Sequence, residues 1–143
     1  MRWRGFLIVF ALLSFGAVTQ AEQMQRLGPF QAHYAVVQST FFDETVARRY
    51  EIVRGRDRAV VNVSILDADG KPVSATVEGS VTNLLGQVTP MAFKEIREGE
   101  AVYYLAQIKH TDRETLRFKV AITTPDGIER QLDFQQQMFW DGR

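Results

Sequence analysis

From Val73 to Thr82 every second side chain is small or apolar: Val73, Ala75, Val77, Gly79 and Val81 alternate with Ser74, Thr76, Glu78, Ser80 and Thr82. Successive side chains leave a β-strand on opposite faces, whereas a helix returns to the same face only after three or four residues. The run therefore specifies a strand with one face on a core and the other in water. The same alternation returns at Leu116, Phe118, Val120 and Ile122, set against Thr115, Arg117, Lys119 and Thr123. It returns again at Ala59, Val61, Val63 and Ile65, but here the opposite face carries Val60 and Leu66 beside Asn62 and Ser64. That strand is expected at the centre of a sheet, covered on both sides.

Weaker alternations at Phe30–Gln38, Thr89–Arg97, Ala101–Lys109 and Ile128–Phe139 bring the expected count to seven. Asp69-Gly70, Glu98-Gly99-Glu100 and Asp126-Gly127 fall between these runs and read as tight turns. Short strands joined at hairpin spacing predict an all-β fold, a seven-stranded antiparallel immunoglobulin-like sandwich, with a closed barrel as the competing arrangement. One segment departs from period two. Thr40 with Asp43 resembles a capping box, and Phe42, Val46 and Tyr50 stand four apart, so a short helix is expected between the first two strands.

Arg2 and Arg4 precede an apolar run from Gly5 to Phe15, too short for the roughly 20 residues of a membrane-spanning helix. Thr19 and Ala21 put small residues where a signal peptidase reads the chain. Residues 1–21 are read as a signal peptide cleaved after Ala21, with an uncleaved anchor as the alternative, and residues 22–143 as one domain. The address is then the bacterial periplasm. The chain contains no cysteine, which excludes a disulfide framework, thiolate metal sites, thiol nucleophiles and a lipid-modified cysteine anchor. Its 17 basic residues balance 17 acidic ones, so no overall field favours nucleic acid. Asn62-Val63-Ser64 matches a glycosylation acceptor but lies inside an expected strand, where the match is chance.

The residues offer little to catalysis. There is no Gly-rich phosphate loop, nucleophile elbow or His-Glu-x-x-His helix, and His33 and His110 are too few for a three-histidine metal site. His33 is placed mid-strand, and His110, at the start of a loop, reads as an ordinary solvated or hydrogen-bonded histidine. Asp67-Ala68-Asp69-Gly70 resembles the start of a calcium loop without the distal glutamate, and a hairpin turn accounts for both aspartates. Glu95, Glu98 and Glu100 are interleaved with Lys94 and Arg97 and read as solvated ion pairs. No catalytic residue, metal or cofactor is expected.

Three segments are poorly explained by folding alone. Arg48, Arg49, Arg54, Arg56 and Arg58 face only Glu51 and Asp57 over a short stretch, and their repulsion is relieved by an acidic partner or phosphate. Leu84 and Leu85 lie in a connection, Asn83–Gln87, where they either plug one end of the sandwich or form an exposed contact. Phe139 and Trp140 close a terminal strand suited to a sheet edge, which can accept a strand from another chain. Arg54, Arg56, Arg58, Leu84, Leu85, Phe139 and Trp140 are therefore the candidate partner-binding residues. An envelope protein or an anionic ligand is the expected partner. Nucleic acid is not, because no aromatic side chains interleave the arginines.

His33-Tyr34, Ser39-Thr40-Phe41, Val61 to Leu66, Asn83 to Gln87, Glu95 to Gly99 and Ala101 to Tyr104 together form a recognisable set. In these segments the chain, from about His33 to Phe139, resembles the small exported proteins of Gram-negative bacteria grouped as domain of unknown function 4426. The resemblance implies a periplasmic domain without an assigned activity and supplies no site residues. The functional expectation is a non-catalytic binding or accessory module of the envelope. A small hydrolase or carbohydrate-active enzyme would need a deep pocket with converging carboxylates. A lipid or small-ligand carrier would need an apolar cavity between the sheets.

Overall fold

The computed structural model describes residues 22–140; the signal peptide and cleavage site expected at residues 1–21 lie outside the described residues. The strands are β1 (Gln23–Leu27), β2 (Phe30–Gln38), β3 (Arg58–Leu66), β4 (Thr76–Thr82), β5 (Val88–Met91), β6 (Lys94–Glu98), β7 (Ala101–Lys109), β8 (Thr115–Thr123) and β9 (Glu129–Gln137). A 3-10 turn, Ser39–Phe41, and a helix α1, Glu44–Arg49, lie between β2 and β3. The strands form two antiparallel sheets, one of five in the order β1-β2-β3-β7-β6 and one of four in the order β5-β4-β8-β9.

The sheets pack face to face. Val36, Val61, Val63 and Tyr104 of the larger sheet meet Val81, Phe118, Val120 and Leu132 of the smaller, and Phe134 stacks on Phe118 with ring centres 4.6 Å apart. β3 is buried along its length apart from Arg58, as its two apolar faces require: Ala59, Val61, Val63 and Ile65 face the core. Val60, on the other face, lies beneath α1 with Ala47 and Ile52. Gly79 faces the core where a Cβ would stand 2.6 Å from the Lys119 carbonyl oxygen of the neighbouring strand, so the β4 and β8 backbones there tolerate no side chain.

Three details depart from the sequence expectation. There are nine described strands, not seven. The extra first strand, β1, pairs with β2 through a two-residue turn in which Gly28 takes φ 64, a left-handed value that suits glycine. The single strand expected over Thr89–Arg97 is two: β5 belongs to the smaller sheet, Ala92 and Phe93 cross between sheets, and β6 belongs to the larger. The expected helix is shorter and starts later, because Asp43 rather than Thr40 is its cap. The Asp43 Oδ1 accepts from the Val46 N–H at 2.8 Å.

Candidate functional site

Strand register brings the three unexplained segments to one end of the sandwich. Gln38 pairs with Ala59 and Arg58 with Lys109, so the β2–β3 connection carrying the arginines leaves that end of the larger sheet. Lys109 passes to Thr115 through a short connection, and Thr115 pairs with Gln137, which places the chain terminus there too. Thr82 pairs with Arg117, so the β4–β5 connection with its leucines projects from the same end.

The connection Asn83–Gln87 is tied internally. The Asn83 Oδ1 accepts from the Leu85 and Gln87 backbone N–H groups at 3.0 and 2.9 Å, and Asn83 Nδ2 donates to Gln87 Oε1 at 2.7 Å. Gly86 takes φ 85 and donates its N–H to the Asn83 carbonyl at 3.0 Å. With its polar groups satisfied by its own side chains, the loop turns outward, and Leu84 and Leu85 stand 66% and 86% exposed. They do not plug the sandwich. Val53, Val88 and Phe139 are also exposed at this end.

The arginines divide. Arg56 lies over the Trp140 ring, with its guanidinium carbon 4.3 Å from the ring centre. Arg54 Nη2 donates to the Thr40 carbonyl at 3.2 Å, and Arg58 is half-buried at the start of β3 opposite Lys109. Arg49 turns away toward Glu98, at 3.6 Å. Trp140 is tied down further: its indole N–H donates to the His110 carbonyl at 3.2 Å and its backbone N–H to Asp112 Oδ1 at 3.0 Å. Gln38 Nε2 donates to the Phe139 carbonyl at 2.6 Å. Of the candidate residues, Arg56 and Trp140 thus form one structural contact, while Leu84, Leu85 and Phe139 remain presented to water.

His110 is buried rather than solvated. Its backbone N–H donates to the Asp57 carbonyl at 2.9 Å, and its Nδ1 stands 2.9 Å from the Thr111 carbonyl. Carbonyl oxygen only accepts, so Nδ1 donates to it, while Nε2 is buried without a partner among the described residues. No sequence signal marks this, since Asp57 and Trp140, which hydrogen-bond to the His110 backbone, lie far from it in sequence.

The groups read as structural at the sequence level are occupied structurally. Asp67 Oδ1 accepts from the Asp69 and Lys71 N–H groups, both at 2.9 Å, within its turn. Glu95 Oε2 pairs with Arg97 at 2.7 Å, and its Oε1 accepts from the Tyr104 hydroxyl at 3.0 Å. Among the described residues no three His, Asp or Glu side chains are grouped to hold a metal, and no described helix is long and apolar enough to cross a membrane.

A groove of about 420 Å³ lies on the outer side of the larger sheet, lined by Tyr50, Ile52, Phe93, Ile96 and Leu105 with Gln107 at its wall. At its rim Lys94 pairs with Glu51 at 2.7 Å, and this ammonium holds the Glu51 carboxyl below its ordinary value. Glu51 itself sits just past the end of α1 at φ 59. Farther across this face, burial first, then the carboxylates of Glu98 and Glu22, push the Tyr103 hydroxyl well above the usual phenol range.

The family model described as Domain of unknown function (DUF4426) matches residues 24–141. Among solved structures, a DUF4426 family protein from Pseudomonas aeruginosa PAO1 is 36% identical with a TM-score of 0.77, over 85% of this chain and 97% of that one. FetP of uropathogenic Escherichia coli strain F11 shares the fold at low identity. A copper-bound FetP variant is 11% identical with a TM-score of 0.62, over 85% of this chain and 97% of that one. FetP as isolated, after expression in the periplasm of E. coli, is 12% identical with a TM-score of 0.63, over 86% and 97%. No curated protein matches the chain. The family match takes in the hairpin, both sheets and the loop end at Trp140, and with a family structure alike across that span, this chain belongs to the DUF4426 family.

Proposed function

We propose that the chain is a non-catalytic accessory module of the bacterial envelope that docks a partner protein through the loop end of its sandwich. The observation that carries this reading is the rigid Asn83–Gln87 loop. A chain that only has to fold gains nothing by spending internal hydrogen bonds to hold Leu84 and Leu85, at 66% and 86% exposure, out in water. At the same end of the sandwich Phe139 adds an aromatic anchor and Arg54 a cation, side-chain types that supply contact area with directed hydrogen bonds at protein interfaces. Preorganisation lowers the ordering cost of binding.

The basic start, short apolar run and Thr19/Ala21 pattern support export with cleavage after Ala21, leaving residues 22–143 as one periplasmic domain. Expression of FetP in the periplasm agrees with that address. The strand orders support an immunoglobulin-type sandwich. With β1 set aside, β2-β3-β7-β6 corresponds to strands ABED and β5-β4-β8-β9 to C′CFG. Neither alternative gains support. The carboxylates of Glu95 and Glu51 are engaged in ion pairs, and the groove lies outside the sheets, whose interface is filled by Phe118, Phe134 and Leu132. The copper of the FetP variant belongs to that protein, and fold likeness at 11% identity carries no ligand with it.

The test is capture from envelope extracts with wild type, Leu84→Asp/Leu85→Asp and Arg54→Ser/Arg58→Ser. The leucine pair is expected to abolish capture of one protein at unchanged melting temperature, and the arginine pair to weaken it more at low salt than at high. Equal capture by the leucine variant and wild type would overturn the docking reading.

A further inference from the structure

The β1–β2 hairpin, remote from the loop end, gathers three kinds of metal donor. Its register sets Met24 directly opposite His33. Cross-strand partners share a face with Cβ atoms about 5 Å apart, so thioether and imidazole lie side by side on the outer face of the larger sheet. Glu22, two residues before Met24, returns to that face, and its Oε1 is 3.5 Å from His33 Nδ1.

That separation is within the reach of an ion pair. It is close to the roughly 3.3 Å between two ligands that each stand about 2.0 Å from one tetrahedral metal ion. The other ring nitrogen, Nε2, is 3.4 Å from Gln31 Oε1. When Nε2 donates to that carbonyl, Nδ1 turns its lone pair toward the Glu22 carboxylate. In that tautomer Nδ1 and the carboxylate oxygen are both placed to donate to one cation. A carbonyl that fixes the tautomer from behind is the usual support of a ligating histidine. Glu22 and Met24 are exposed and His33 is half-buried, so the donors are reachable from water.

We propose that Glu22, Met24 and His33 form a copper-binding site on the β1–β2 hairpin. Donor chemistry selects the metal. A thioether is a soft ligand suited to Cu(I), a carboxylate a hard one better suited to Cu(II), and imidazole serves both. Alkaline-earth ions find too few oxygens here. The site uses none of the loop-end residues, so it stands or falls separately from partner docking.

The test is titration of the purified protein, free of any affinity tag, with Cu(II) by calorimetry and with Cu(I) by competition against a chromophoric chelator under reducing conditions. One ion per chain is expected. His33→Ala should weaken both oxidation states by about 100-fold, and Gln31→Ala by about tenfold. Met24→Leu should weaken Cu(I) by about tenfold and leave Cu(II) within about threefold, while Glu22→Gln should do the reverse. Glu129→Gln, on the exposed end of β9, controls for stray carboxylate binding and should change nothing. Circular dichroism establishes that each variant is folded. Wild-type affinity in His33→Ala, absence of saturable one-to-one binding, or failure of Met24→Leu and Glu22→Gln to separate the two oxidation states would each overturn the site.

Discussion

Replacing Arg56 with Met keeps the stem that covers Trp140 and removes the charge above it, isolating the contact that fastens the end of the chain. The guanidinium carbon lies 4.3 Å from the ring centre, and Arg56 is exposed, which puts the cation–π contribution at about 0.5–1 kcal/mol. Trp140 has a second hold, its indole N–H on the His110 carbonyl at 3.2 Å, with a net contribution of about 1 kcal/mol. Arg56→Met should therefore destabilise by about 0.5–1 kcal/mol and Trp140→Leu by about 2 kcal/mol. The double variant should lose less than the sum of the two, by the cation–π share of about 0.5–1 kcal/mol. For a domain of this size that share corresponds to roughly 2–5 °C in Tm. Urea midpoints of the four proteins give the coupling, provided the slopes agree. A value inside the additivity error of about 0.3 kcal/mol would refute this coupling, leaving the ring held by its one hydrogen bond. The same reasoning says that Arg56 is a poor residue to change when testing for a partner, since losing it loosens the surface being tested.

Val77 is buried against the core while Thr76 on the same strand faces water, so Val77→Asp should cost roughly 3 kcal/mol or more and Thr76→Asp no more than about 0.5 kcal/mol. Equal losses in urea denaturation would mean that β4 is covered on both faces. In alkali, Tyr103 and Tyr104 both have phenols raised by burial, with the carboxylates of Glu98 and Glu22 next for Tyr103. Their contribution is intact below about pH 10 and is lost above it, because the unfolded chain releases protons that the folded one retains. Each such group steepens the fall by up to about 1.4 kcal/mol per pH unit, and Tyr103→Phe should remove one share. An unchanged slope in that variant would contradict the assignment.

Elements with an unbroken period were legible from residues alone. Val77 and Val81 on β4, Leu116 to Ile122 on β8 and the doubly covered β3 face the directions that their alternation requires. The misses have physical causes. In β1, Gln-Met-Gln-Arg-Leu has one apolar residue on each face, too few to show an alternation, because an edge strand buries little, and its pairing comes from the hairpin. At Ala92–Phe93 the chain changes sheets, and the one sequence sign is a spacing of three between Phe93 and Ile96 after the spacing of two from Met91. The site was legible as separate segments, not as a place. Arg56 finds its partner at the opposite end of the sequence, and the outward stance of Leu84 and Leu85 follows from what the Asn83 side chain binds. On the hairpin, a donor set counted in histidines and carboxylates leaves out the Met24 thioether, which only strand pairing sets beside His33.

The strand order also governs when the protein can fold. Arg58 waits for Lys109 and Thr76 for Thr123, so neither sheet gains its central pairing until most of the chain is available. Contacts this distant in sequence pay their loop-closure entropy first, which places folding in roughly the millisecond-to-second range. For a chain exported as proposed, that delay is useful. A polypeptide threaded through a narrow translocon has to remain extended, and here the β2–β3 hairpin crosses long before β7 arrives to trap it. Under that proposed export, the connectivity of the sheets would itself delay folding, without requiring any residue to weaken the finished core.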